Sequence, residues 1–223
     1  MNAEYLARME CLLWLYQQPY DARFPVVCFD ERPCFLIGEA VAAQAMQSGK
    51  VRREHYAFEK LGSCALLAAI EPLSGKRLAH IFEQRRKREY ALFLREVAEA
   101  FPNAEKIRLV QDNLNTHSAS AFYETFSADE AFALAHKFEF YYTPKSASWL
   151  NMIEIEFSAL VKQCLNRRIA SQQKLSEEIN AIVKQRSDKQ IKINWQFSIQ
   201  AARSKLSSAY QAVNPINKIY QKT

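Results

Sequence analysis

The apolar segments of this chain change their spacing part-way along, and that change limits the folds open to it. Residues 24–29, 63–70 and 77–82 read as three strands in a row, rich in β-branched, aromatic and small apolar residues. No helical periodicity separates the second from the third; Pro72-Leu73-Ser74-Gly75 supplies a tight turn instead. Two later strands, 106–110 and 138–142, are each preceded by helical spacing. Residues 88–101 put Tyr90, Phe93, Leu94, Val97 and Phe101 on one side of a helix, which Pro102-Asn103 breaks. Helices running through Phe122 and over 129–136 lead into the fifth strand. Strands joined by turns make a meander, whereas strands parted by helices make parallel crossovers. The expected fold is α/β, a mixed five-stranded sheet flanked by helices.

The flanks add helices. Over 4–17, Leu6, Met9, Leu12, Leu13 and Tyr16 share a face, and Pro19-Tyr20-Asp21 stops the run. Residues 151–165 and 175–184 follow the last strand as helices, the second capped by Ser171. Residues 38–56 read as irregular and polar. This order of elements is the plan of a ribonuclease-H-like fold.

With 223 residues, 49% hydrophobic and 24% charged, the chain can bury one sizeable core. No stretch approaches the roughly 18 apolar residues of a membrane span, and Met1-Asn2-Ala3-Glu4 lacks the plan of a secretion signal. The five cysteines are scattered and include no Cys-x-x-Cys pair, which argues against a disulfide framework or zinc and for a reducing cytoplasm. The net charge is +6 but uneven. From Lys162 onward twelve basic residues face three acidic ones, a surplus of nine, so the first 161 residues carry −3. An acidic first part joined to a basic tail suits an enzyme that holds metal cations and a polyanion together.

Three acids stand at element boundaries. Asp30 closes the first strand, Asp112 closes the fourth, and Glu154 lies in the first turn of the helix that follows Leu150. Carboxylates at strand ends project from the rim of a sheet, where loops leave room for a ligand. Adjacent carboxylates repel unless a cation lies between them, and hard oxygen donors select Mg2+ or Mn2+. Two such ions, about 3.5–4 Å apart, are a known device for phosphodiester chemistry. Glu31 and Glu156 are rival carboxylates. Glu31 is expected on the opposite side of its strand from Asp30. Glu156 lies about 200° round the helix from Glu154, so the two cannot face one metal.

At these acids the sequence resembles a known family. Asp30-Glu31-Arg32-Pro33, Asp112-Asn113-Leu114-Asn115-Thr116-His117 and the stretch from Tyr142-Thr143-Pro144-Lys145 through Trp149-Leu150-Asn151-Met152-Ile153-Glu154 look like the three signature blocks of the DDE transposases. The match is nearest to the insertion sequence 630 family, a bacterial relative of the Tc/mariner transposases. It extends to Pro19-Tyr20-Asp21, Leu36-Ile37-Gly38-Glu39 and Gln163-Cys164-Leu165-Asn166-Arg167-Arg168. The resemblance implies that Asp30, Asp112 and Glu154 are the catalytic, metal-holding triad, with two Mg2+ or Mn2+ ions as cofactors. It implies that Asn113, His117 and Lys145 contact DNA or orient the carboxylates. Trp149, Arg167 and Arg168 join them as candidate DNA-binding or site-supporting residues.

On this reading residues 1–21 are an N-terminal helix leading into the catalytic domain, 22–186 the ribonuclease-H-like DDE catalytic domain, and 187–223 a basic C-terminal tail. The implied activity is metal-dependent DNA cleavage and strand transfer of an insertion sequence, with transposon ends and target DNA as partners, in a bacterial cytoplasm at the nucleoid. A homodimer, or a dimer with a full-length transposase, and insertion at a TA dinucleotide are further implications. The second and third acids stand 42 positions apart, longer than mariner-type spacing, and an insertion around 125–132 would account for it. Relatives carry an N-terminal helix-turn-helix region; no such pair precedes Asp30, so the chain is expected to be a catalytic half, from a split gene or a truncated copy.

Two other readings stay open: a ribonuclease-H-like nuclease that cuts without joining, and a non-catalytic DNA-binding remnant. Simpler roles also exist for single residues. His117 is equally a helix-start residue, Trp149 a packing residue, and the Gln84-Arg85-Arg86-Lys87-Arg88 run a solvated stretch or a phosphate contact. His55, His80 and His136 read as structural or surface residues.

Overall fold

In the computed structural model, which describes residues 1–40 and 57–219, a five-stranded sheet carries helices on both faces. The strands are β1 (Val26–Glu39), β2 (Phe58–Ile70), β3 (Arg77–Phe82), β4 (Ile107–Gln111) and β5 (Phe138–Tyr142), in the spatial order β3-β2-β1-β4-β5. β1, β2 and β3 pair antiparallel, while β4 runs parallel to both β1 and β5. The mixed sheet and the meander-then-crossover order are as the sequence leads one to expect.

One face of the sheet is covered by α2 (Lys87–Ala100), α3 (Ser120–Thr125) and α4 (Ala128–Lys137). Val27, Phe29, Leu67 and Leu109 meet Tyr90, Phe93, Leu94 and Phe122 there. Burial of each such side chain contributes about 1.5–3 kcal/mol. The other face is covered by α1 (Ala3–Tyr16), α5 (Ile153–Leu160) and α6 (Gln172–Asp188). Here Met9, Leu13, Phe157, Leu160 and Ile179 pack on Cys28, Leu66, Ile70 and Val110. Ser171 caps α6 by accepting the Lys174 amide at 3.2 Å.

Several boundaries differ from the sequence reading. β1 does not stop near Asp30 but runs on to Glu39, because its antiparallel pairing with β2 continues along the whole length. β2 accordingly begins at Phe58. Gly38 and Glu39, read as irregular, belong to β1. The rest of that stretch from 41 to 56, with His55, lies outside the described residues. The single helix read over 151–165 is two pieces, α5 and a π-helical turn at Val161–Leu165, and a 3-10 turn at Ser148–Leu150 precedes them.

The basic C-terminal segment folds too, into α7 (Ile199–Lys205) and α8 (Ser207–Val213). These helices pack on α1, where Arg203 forks onto Glu10 at 2.7 and 2.8 Å and the Tyr210 hydroxyl donates to the same carboxylate. Residues 125–132 hold the junction of α3 and α4. Among the described residues no helix is long and apolar enough to cross a membrane.

Candidate catalytic carboxylate site

Pairing between β1 and β4 ends at Cys28 and Val110, which face one another in parallel register. Asp30 and Asp112 each lie two residues beyond that pair. Side chains alternate along a strand, so Asp30 takes the face of Cys28, the α1/α5 face, while Asp112, just past the end of β4, borders the same cavity as Asp30. Two carboxylates are thus brought to the point where β4 leaves the sheet and β1 continues. That flank of β1 becomes an edge beyond Cys28, a setting in which the missing amide of Pro33 is tolerated.

Asp30 is largely withdrawn from water. Burial lifts its carboxyl to about 7, and the neighbouring Asp112 and Glu154 push the same way. Its one opposing hydrogen bond of note comes from the Glu31 amide at 2.7 Å. A part-buried carboxylate crowded by two others and poorly supplied with donors is a site that favours a cation.

His117 sits beneath the pair, its side chain fully buried. Its Nδ1 lies 2.5 Å from Asp112 Oδ1 and its Nε2 lies 3.5 Å from Glu31 Oε2. The ring stacks on Tyr90 at 4.9 Å and meets Phe29 edge-on at 5.3 Å. Burial would lower its basicity, but the two carboxylates outweigh burial and lift it to about 9. The backbone is held as well: the Gln111 amide donates to the His117 carbonyl at 3.0 Å, and Gln111 itself accepts from Tyr90 at 2.8 Å. Glu31, on the opposite face from Asp30 as alternation requires, is met at the surface by Arg85 at 3.5 Å.

The two glutamates of α5 have different surroundings. Glu156 is buried, bonded by Arg186 at 2.7 and 3.0 Å, with Arg77 Nε 3.0 Å away. It is an internal ion cluster, tying α5 to α6 and β3. Glu154 lies on the side nearer Asp30 and adds to that residue's raised pKa. The start of α5 is fixed to β1 through Asn151, whose buried side-chain amide donates to the Phe29 carbonyl at 2.8 Å.

Asp30 and Asp112 open into a cavity of about 750 Å3 bordered by Asn113, Lys145, Asn151 and, from α1, Tyr5 and Arg8. Glu154 instead lines an adjoining groove of about 470 Å3 with Glu31, Arg32 and Arg167. Among the described residues no three Asp, Glu, His or Cys side chains stand together closely enough to hold one metal ion. The two aspartates form the pair, and Glu154 stands one step off it.

The remaining candidates divide. Asn113 and Lys145 border the carboxylate cavity. Trp149 is half-exposed and packs edge-on against Phe197 at 5.5 Å. Arg167 pairs with Glu178 beside the groove, and Arg168 donates to the Ala57 carbonyl at 3.2 Å. Sequence reasoning passed over Arg8 and Tyr5, which lie far from every motif block, and the pairing of Glu31 with His117, 86 positions apart. Asn151, inside the third block, is the one missed residue whose position was already marked.

Residues 25–176 match the family described as DDE superfamily endonuclease. No curated protein matches. Among solved structures, the Mos1 mariner paired-end complex with Mn superimposes with a TM-score of 0.56 at 13% identity, covering 86% of this chain and 60% of that one. The Mos1 transposase paired-end complex with the left transposon end gives 0.56 at 12% identity, covering 99% and 65%. The Mos1 strand transfer complex gives 0.54 at 13%, covering 97% and 62%. At this identity the likeness is one of fold, and it is the ribonuclease-H-like fold. The chain spans about 60–65% of the length of these structures.

Proposed function

The chain belongs to the DDE superfamily endonucleases, and from that premise we propose that it is the catalytic domain of a transposase that cleaves DNA and transfers the cut strand. The observation that carries this reading is the Asp30–Asp112 pair at the neighbouring ends of parallel β1 and β4, with Asp30 held at about 7 by burial and by the two other acids. All three donors are hard oxygens, and one of them is destabilised by charge that a cation would neutralise, so the set fits Mg2+ or Mn2+. Similar folds were solved with Mn and with Mg. Asp30 and Asp112 would hold two ions from the sheet and Glu154 would complete their ligation from α5. When bound, the ions supply Lewis-acid activation of the attacking oxygen and stabilisation of the leaving one.

The chain's own residues do the rest. His117 fixes the orientation of Asp112, and Asn151 fixes α5 against β1. Asn113 and Lys145 contact the DNA backbone at the cavity, where such contacts position without reading sequence. In the first step water attacks a phosphodiester at a transposon end and a 3′-hydroxyl leaves. In the second that hydroxyl attacks a phosphodiester of target DNA in line: a new P–O bond forms, the target's own 3′ oxygen departs, and no protein atom becomes bonded to DNA. The motif blocks support the finer assignment to the insertion sequence 630 family and a catalytic domain over 22–186, with a dimer as the working form.

The test is calorimetric titration of Mn2+ into the wild type and into Asp30→Ala, Asp112→Ala and Glu154→Ala, followed by product analysis on DNA. Metal binding lost in the variants and joined products from the wild type support the reading. Cut but unjoined products make the protein a nuclease. A folded wild type that binds no metal, with or without DNA, makes it a non-catalytic remnant.

A further inference from the structure

The cavity above Asp30 and Asp112 has a wall that no motif block supplies. Its near side is the first two turns of α1, with Tyr5 and Arg8 directed into it and the acid Glu4 beside them. Lys145 borders the same cavity. A phosphodiester entering this cavity meets two carboxylates on the floor, so cationic groups on the walls must offset that repulsion. Arg8 is suited to the task. Its planar guanidinium matches two phosphate oxygens at once, which an ammonium cannot do. Its present partner is Glu4, one helical turn away at 2.7 Å, with side chains 34% and 66% exposed. Such a surface pair is worth little and is readily exchanged for a phosphate.

Arg8 is also held in place. Met9, Leu12 and Leu13, on the adjoining face of α1, are buried in the core, and Glu10 is gripped by Arg203 and Tyr210 from α7 and α8. The guanidinium lies near enough to Tyr142, at the C-terminal end of β5, to oppose the rise of that phenol's pKa. β5 is the neighbour of β4, which delivers Asp112. A rigid helix thus brings one cation to the same sheet edge that carries the acids.

We propose that Arg8 is a DNA-binding residue of this site, contacting, together with Lys145, the phosphodiester backbone of the strand that occupies the carboxylate cavity. The inference rests on the DNA-cleaving reading above. It adds the N-terminal helix to the substrate-binding surface and gives the C-terminal helices a part in holding it there.

Binding of a fluorescent duplex of random sequence, followed by anisotropy across a salt series with Ca2+ present, tests this. Arg8→Ala is expected to weaken binding by about tenfold, the loss of one charge-assisted contact, and to lower the slope of log K against log salt by about one contact. Arg8→Lys is expected to keep the slope and lose part of the affinity, and it serves in place of Arg8→Ala should that variant not fold. Arg23→Ala removes the same charge ahead of β1, outside the residues that border the cavity, and is expected to leave the slope unchanged. Arg8→Ala with the wild-type affinity and slope overturns the proposal while leaving the DNA reading intact. Equal losses in Arg8→Ala and Arg23→Ala overturn it as well, since net charge alone would then explain them. A folded wild type that binds no DNA overturns both.

Discussion

His117 stands between two carboxylates, 2.5 Å from Asp112 through Nδ1 and 3.5 Å from Glu31 through Nε2. It is packed on Tyr90 and Phe29, so neither the ring nor the acid it holds is free to turn. Groups that orient a metal-holding carboxylate typically account for a 10–100-fold change in metal affinity. His117→Ala is therefore expected to weaken Mn2+ binding by about that range, read by calorimetry. An affinity equal to that of the wild type removes the orienting role.

Glu156 and Glu154 predict opposite results. Removing Glu156 leaves Arg77 and Arg186 buried without their anion. Loss of one partner from such a cluster costs about 3–5 kcal/mol. Among the described residues Glu154 has no such internal partner, and Glu154→Ala should stay within about 0.5 kcal/mol of the wild type while losing metal. Denaturant unfolding of the two variants checks the contrast. Equal destabilisation would mean that both acids are structural.

The raised carboxyl of Asp30 makes a pH prediction for the metal-free protein. Its folded value is about 7, against 3.8 unfolded. Between these values the folded state binds the extra proton, so stability falls as pH rises from about 4 to about 7 and then levels off. Asp30→Asn should abolish that part of the dependence. The measurement is the difference between wild-type and variant unfolding free energies at several pH values in chelator. A difference that does not change with pH counts against the buried site.

Docking of the C-terminal helices should have the reverse dependence. Hydrogen bonds from Arg203 lower the pKa of Glu10 despite partial burial, with Tyr210 adding to the effect. The contact is therefore complete above about 4.5 and weakens as pH falls through the lowered value. Glu10→Gln is expected to loosen α7 and α8 at neutral pH and to speed proteolysis in the segment 189–198 that precedes them. Cleavage at the wild-type rate would show that apolar packing alone holds them.

Much of this architecture was legible because it is periodic. β3 and β5 have the bounds their apolar runs suggest, and α2 buries the aromatic stripe written into residues 90–101. What escaped was set by partners distant in sequence. Asp30-Glu31-Arg32-Pro33 looks nothing like a strand, yet β2 carries β1 straight through it. α7 and α8, at seven residues each, are too short to establish a period. At the site the three acids stood at recognisable boundaries. The rivalry between Glu154 and Glu156 turned on two arginines, Arg77 and Arg186, contributed by a strand and a helix on either side. Arg8 carries no local signal at all; only folding α1 across the sheet brings it to the aspartates.

β4 is five residues long and β1 fourteen, and that inequality has a consequence for how the protein can change. Two more residues of ladder after Val110 would zip Asp112 against Asp30 and close the mouth between them. Growth of the chain is thus cheap in the α3–α4 hairpin, on the far face, and ruinous at Asp112. The mouth is kept open by a strand that ends early, and it is that ending, as much as the acids themselves, that a functioning descendant of this sequence has to preserve.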